Sequence, residues 1–143
     1  MKEIEFRGKA KEKYTGDWIY GYLATPTQIC TDYCNTTGTT TLLELVKVDT
    51  ETIGQYIGLR DKTRTKEYPE GKKIFEGDIV KVDLLVSRLV VGEDISLVYF
   101  DEEKNFIWSL KFAKNYRELY NIEPNKIKVI GNIYDNPELL EGE

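Results

Sequence analysis

The chain has 143 residues, 41% of them apolar, with ten Tyr and only four Pro; that is enough to build one core or two small ones, and it excludes the polar, aromatic-poor make-up of disordered chains. With 20 basic against 25 acidic side chains and a net charge of -5, the chain as a whole opposes phosphate at long range, so nucleic-acid binding would need a locally basic patch. There is no His, which removes Ser-His and Cys-His triads together with the commonest metal ligand.

Short runs rich in Val, Ile, Tyr, Phe, Trp and Thr recur between turn signals, and no stretch sustains a 3.6-residue apolar period over several turns, so the elements read as strands. A first run through Ile4 and Phe6 ends at Gly8, and Lys9 to Lys13 reads as a loop or hairpin tip. Gly16-Asp17 turns into a strand from Trp18 to Leu23, which Pro26 cannot continue. Gln28 to Thr40 is polar and turn-rich and reads as a loop. TLLELVKV resumes a strand, Asp49 to Thr52 makes a turn or a first helical turn, and IGQYIGL is a further strand. Arg60 to Lys73, with six basic and three acidic residues besides Pro69 and Gly71, is the best candidate boundary.

Beyond it, Gly77-Asp78 closes a turn into a strand from Ile79 to Val86, whose β-branched residues suit a half-buried pleated surface. Ser87 to Val91 extends that strand or begins another, and Gly92-Glu93-Asp94 turns into ISLVYF. The segment DEEKN then connects to FIWSLKF as a hairpin. Ala113 to Asn121 could make one or two helical turns, because Tyr116, Leu119 and Tyr120 would share a face. IKVIGNIY is the last strand, and Pro137 to Leu140 suits a short terminal helical turn with Pro in first position. The expected fold is mainly β: an N-terminal antiparallel subdomain over residues 1–59, a basic linker or extended loop over 60–73, and a small SH3-like barrel over 74–140. An open antiparallel sheet with one helix is the competing architecture for the last part.

IEFRGK, GDWIYGY, VDTETIGQYIGLRDK, KIFEGDIVKV and VIGNIYDNPELL follow one another along the chain. In that order they resemble the successive blocks of the YopX family of phage and prophage proteins. The resemblance implies a compact β-rich accessory protein, encoded by a phage or prophage, self-associating and without an assigned catalytic activity. Ile57 stands where the family's block usually has Thr, the stretch RDKTRTKEYPEGKKIFEGD is longer than the family's turn, and Cys30 to Thr40 matches no family block.

Chemistry-bearing constellations are sparse. Cys30 and Cys34 lack both the spacing of a thiol oxidoreductase and a second pair for zinc, so free thiols are expected. Asp101, Glu102 and Glu103 beside Lys104-Asn105 read as a solvated hairpin tip more readily than as an acid-base pair. No glycine-rich phosphate cradle is present, and Gly54, Gly58 and Gly131 sit singly among strand residues, where bulges are the usual reason. No catalytic, cofactor-binding or metal-binding residues are therefore assigned, and no enzyme is expected.

Trp18, Tyr20 and Tyr22 alternate onto one face of a strand, which suits a core, a protein interface or a base-stacking platform. With Gln55 and Tyr56 they form the candidate interface of a homo-oligomer, or of a contact with a phage or host protein. The lesser alternative is a nucleic-acid-binding barrel using Arg60, Lys62, Arg64, Lys66, Lys72 and Lys73 as a flexible basic strap. The opening residues hold no apolar run for a signal peptide and no later segment is long enough to span a membrane, so a cytoplasmic place in a bacterial host is the expectation.

Overall fold

A computed structural model describes residues 4–34, 41–101, 107–111, 116–118 and 123–140. Those residues are mainly β, as expected, with antiparallel pairing throughout and short 3-10 turns at Thr50–Thr52, Pro124–Lys126 and Pro137–Leu140; no α-helix occurs among them. The chain divides into two compact units, Met1–Tyr56 and Ile57–Glu143.

The first unit holds β1 (Phe6–Lys9), β2 (Trp18–Thr25), β3 (Gln28–Cys34), β4 (Thr41–Lys47) and the start of β5 (Gly54–Arg60), in the sheet order β4-β3-β2-β1-β5. The stretch read as a loop from Gln28 onward is thus a strand as far as Cys34, paired with β2 on one side and β4 on the other. Its polar residues give it the composition of a loop; among its described side chains Ile29 is fully enclosed. Pro26-Thr27 forms the two-residue connection, Thr25 lying opposite Gln28.

Ile29 lies opposite Val46, and these two with Val48 and Ala10 are buried on one face of the sheet. Gly8 belongs there because a Cβ would meet Val48 at 3.0 Å. The segment 49–52 is stitched back to β1: the Lys9 amide donates to Thr52 Oγ1 at 2.8 Å, and the Asp49 amide to the Lys9 carbonyl at 2.8 Å. Asp49 also caps the 3-10 turn by accepting from the Glu51 amide at 3.1 Å.

The second unit holds the end of β5, β6 (Lys73–Phe75), β7 (Asp78–Val86), β8 (Leu89–Asp101), β9 (Ile107–Lys111), β10 (Tyr116–Glu118) and β11 (Ile127–Asn132). Its five-stranded sheet runs β10-β9-β8-β7-β11, while β6 neighbours β5. Ile57, Ile74, Val80, Val82, Val98 and Ile127 form the core, with Leu59 and Val129 against it. The barrel expected over residues 74–140 is not closed: β6, the strand that would open it, pairs with β5, and β10 and β11 end the sheet. Gly77-Asp78 makes the expected turn, Gly77 at φ 93° and Asp78 Oδ2 accepting from the Phe75 amide at 2.8 Å.

Gly92 to Asp94 do not turn; they lie inside the continuous strand β8, opposite Leu84 to Val82 of β7. Tyr116 to Glu118, expected in a helical turn, form β10 instead, and the rest of 113–121 lies outside the described residues. The actual reversal between β7 and β8 is Ser87-Arg88, with φ 51° and 69°. Two successive left-handed residues suit the twist of a two-residue hairpin, but side chains with a Cβ are strained there. Ser87→Asn with Arg88→Gly is therefore expected to stabilise the unit by about 1 kcal/mol, read as a higher urea midpoint with unchanged slope in dilute protein.

Candidate functional site

Strand register decides which residues share a surface. Arg7 lies opposite Tyr20 and Lys9 opposite Trp18, so these four point to one side of the sheet. Tyr22 opposite Cys30, and Cys30 opposite Leu45, carry that face across to β4. On it the Arg7 guanidinium sits 4.6 Å and the Lys9 ammonium 5.6 Å from the centre of the Trp18 ring, cation–π contacts that help to hold Trp18 half-buried. Tyr20, Tyr22 and Leu45 remain 44%, 67% and 56% exposed.

The five residues of the expected interface separate. Gly54 is opposite Arg7 and Gln55 opposite Phe6, so the register sends Tyr56 to the side of Trp18, Tyr20 and Tyr22 and Gln55 to the other side. Tyr56 is only 7% exposed and packs inside rather than offering a surface. A groove of about 220 Å³ opens beside the two exposed tyrosines, lined by Ile4, Glu5, Tyr20, Gly21, Tyr22, Cys30 and Thr31. Nothing in the alternation of the aromatic residues announced the groove, because it depends on Gly21, where a Cβ would stand 2.1 Å from the Cys30 carbonyl oxygen.

The basic stretch is knitted into its own loop. Arg60 Nη1 donates to the Gly71 carbonyl at 3.1 Å, Lys62 Nζ to the Asp83 carboxylate at 3.3 Å, and Arg64 Nη1 to the carbonyls of Asp61 at 3.0 Å and Thr63 at 2.7 Å. Lys72 Nζ lies 5.2 Å from the centre of the Tyr68 ring. Lys66 is exposed and Lys73 half-buried in β6. Arg60, Arg64 and Lys72 of the expected basic strap thus have partners within the loop, and Lys62 pairs with β7.

What fixes that loop is a residue that no motif singles out. Asp61 is 1% exposed, and its carboxylate accepts from the amides of Thr63, Lys72 and Val129 at 2.9, 2.8 and 2.8 Å and from Thr63 Oγ1 at 3.0 Å. Burial is the largest single influence on this carboxyl and raises its pKa; the hydrogen bonds from Val129, Lys72 and Thr63 together outweigh it and hold the pKa below the ordinary value. The chemistry is structural: the four donors aim at the carboxylate from three separate stretches of chain.

Cys30 is a free, half-buried thiol, and among the described residues no three of His, Cys, Asp and Glu converge to hold a metal. Residues 102–106, and with them most of the acidic hairpin, lie outside the described residues. No helix among the described residues is long and apolar enough to cross a membrane.

No curated protein and no solved structure matches the chain. A family model does: that of the YopX protein, aligned over residues 5–141, which takes in both units and every strand described above. The chain belongs to the YopX family.

Proposed function

We propose that this chain is a phage- or prophage-encoded accessory protein of the bacterial cytoplasm that performs no covalent chemistry and acts by binding a second copy of itself. The supporting observation is the sheet face of the first unit, where Tyr20, Tyr22 and Leu45 stand exposed in a row fixed by strand register. Contiguous exposed aromatic and aliphatic side chains on a folded sheet mark contact surfaces, and tyrosine provides a large apolar area at small conformational cost.

Light scattering behind size-exclusion chromatography tests this directly. A mass of at least two chains at tens of micromolar is expected, falling toward one chain when Tyr22 and Leu45 are both changed to Ser. Monomeric wild-type protein at that concentration removes the reading. Both positions are exposed, so the double variant should retain its far-ultraviolet circular dichroism.

A further inference from the structure

The chain leaving β1 touches β4 before it turns into β2. Ala10 bridges to Val48, just past the end of β4, the Lys11 amide donates to the Lys47 carbonyl at 3.0 Å, and the Asp49 amide donates to the Lys9 carbonyl. Two strands that have β2 and β3 between them in the sheet therefore meet at their ends along a short seam. Lys47 uses its outer edge there, while the Val48 amide faces the other way and donates to the Thr27 carbonyl at 3.0 Å.

Side chains of the β1–β2 loop, residues 10–17, fasten that seam. Lys13 Nζ donates to Glu44 Oε2, and Tyr14 Oη to Glu44 Oε1 at 3.0 Å, so both oxygens of one β4 carboxylate take donors from adjacent loop residues. Farther along β4, Lys47 pairs with Glu12 at 3.5 Å. The loop is also bonded to itself, the Asp17 amide donating to the Tyr14 carbonyl at 2.9 Å and Thr15 Oγ1 to the Glu12 carbonyl at 2.7 Å, which lets it move as one piece. Tyr14 holds φ 62°, a left-handed conformation that costs a bulky residue energy and persists where a contact maintains it.

We propose that the β1–β2 loop is a clasp, fastened by Glu44 on Lys13 and Tyr14, that opens and shuts the β1–β4 seam and is released by acid. Shut, it covers the outer edge of β4 at Lys47, where Ala10, Val46 and Val48 are buried. Open, it leaves that edge as a template for a further strand. The seam has few backbone bonds, and the links that hold it are exposed and screened by salt, so it can open while β2, β3 and β4 stay paired. The groups facing Glu44 are Lys13 and Tyr14 from the loop and the uncharged Thr31 opposite it on β3, with the Glu12–Lys47 pair beyond. Hydrogen bonds from Lys13 first and Tyr14 second hold the Glu44 carboxyl below its ordinary pKa. Its hold is therefore complete above the unfolded value of about 4.3 and is lost as pH falls through the folded value. The clasp is independent of the self-association reading.

Amide exchange followed by NMR on the full chain in dilute solution, expressed as protection factors, reads the seam. At neutral pH the Lys11 and Asp49 amides are expected to lose about threefold to tenfold of their protection in Glu44→Gln, the scale of an exposed charged link. Tyr14→Phe, which removes one of the two donors, should lose less. Lys13→Glu with Glu44→Lys in one chain should recover most of the loss. On acidification the wild-type chain should converge on Glu44→Gln, while the Val48 amide keeps its protection throughout. Circular dichroism confirms folding, and Tyr14→Phe carries the test if Glu44→Gln fails it. Unchanged protection of Lys11 and Asp49 overturns the clasp, as does an equal loss at Val48, which would mean that the whole unit opens. Wild-type and Glu44→Gln chains that stay apart in acid overturn its release by protons.

Discussion

Asp61→Ala is expected to destabilise the second unit by about 3 to 5 kcal/mol, among the larger effects of any single substitution. The change deletes no apolar contact of note. It strands the amides of Thr63, Lys72 and Val129 in a site where Asp61 itself is 1% exposed, and a buried donor without an acceptor costs far more than the net gain of an ordinary hydrogen bond. Urea unfolding followed by circular dichroism reads the loss. Asp61→Asn keeps the shape but offers one oxygen acceptor in place of two and puts an NH2 among donors, so it should recover less than half of it.

The same carboxylate sets an acid limit. Its pKa is lower in the folded chain than in the unfolded one, so its contribution is fully present above the unfolded value of about 4 and drains away as pH falls through the folded value. The stability of the wild-type chain is therefore expected to drop more steeply below about pH 4 than that of Asp61→Asn, the two curves converging in acid. Parallel curves would show that the carboxylate is not charged in the folded state.

Gly21→Ala is expected to cost the first unit about 2 to 4 kcal/mol, the range of a steric insertion that packed surroundings cannot absorb. The new Cβ would lie 2.1 Å from the Cys30 carbonyl oxygen, 3.0 Å from its carbon and 3.2 Å from the Thr31 Cα. All three are backbone atoms of the adjacent strand, so no side chain can swing aside. Strands β2 and β3 must separate where they pair, with the groove between Tyr20 and Tyr22 losing its floor. Gly16→Ala is the control. Gly16 has φ 87° and open space around it, so only the left-handed backbone penalty of about 1 kcal/mol applies. Trp18 fluorescence during urea titration compares the two; equal midpoints would mean that the strands yield freely at Cys30.

The β character of the chain was written in composition and spacing, since β-branched and aromatic runs between Gly and Asp turns have few other outcomes. Trp18 to Leu23, Gly77-Asp78 and the turn at Pro137 were legible because each depends on residues within a few positions of one another. Strand β3 was hidden because Gln28, Thr31 and Asp32 gave it the composition of a loop; its identity comes from pairing on both sides, a tertiary fact. The Ser87-Arg88 reversal carries no Gly or Asn to signal it, whereas Gly92-Glu93-Asp94 has the composition of a turn. Alternation correctly grouped Trp18, Tyr20 and Tyr22, but burial of Tyr56 depends on what packs above it, which no spacing rule reports. Asp61 looked like one more charge in a soluble stretch, because its partners stand 2, 11 and 68 positions away.

That last separation bears on how the polypeptide reaches its final state. The Asp61 carboxylate gains the last of its donors only once Val129 has arrived, 68 positions further along the chain. Contacts so distant along the chain carry a large ordering cost before they return anything, which slows folding. A nascent chain that has presented everything up to Asp101 still lacks one of the amides that hold the loop's buried carboxylate. Arrival of β11, rather than assembly of the long β7–β8 ribbon, is the event that locks this loop.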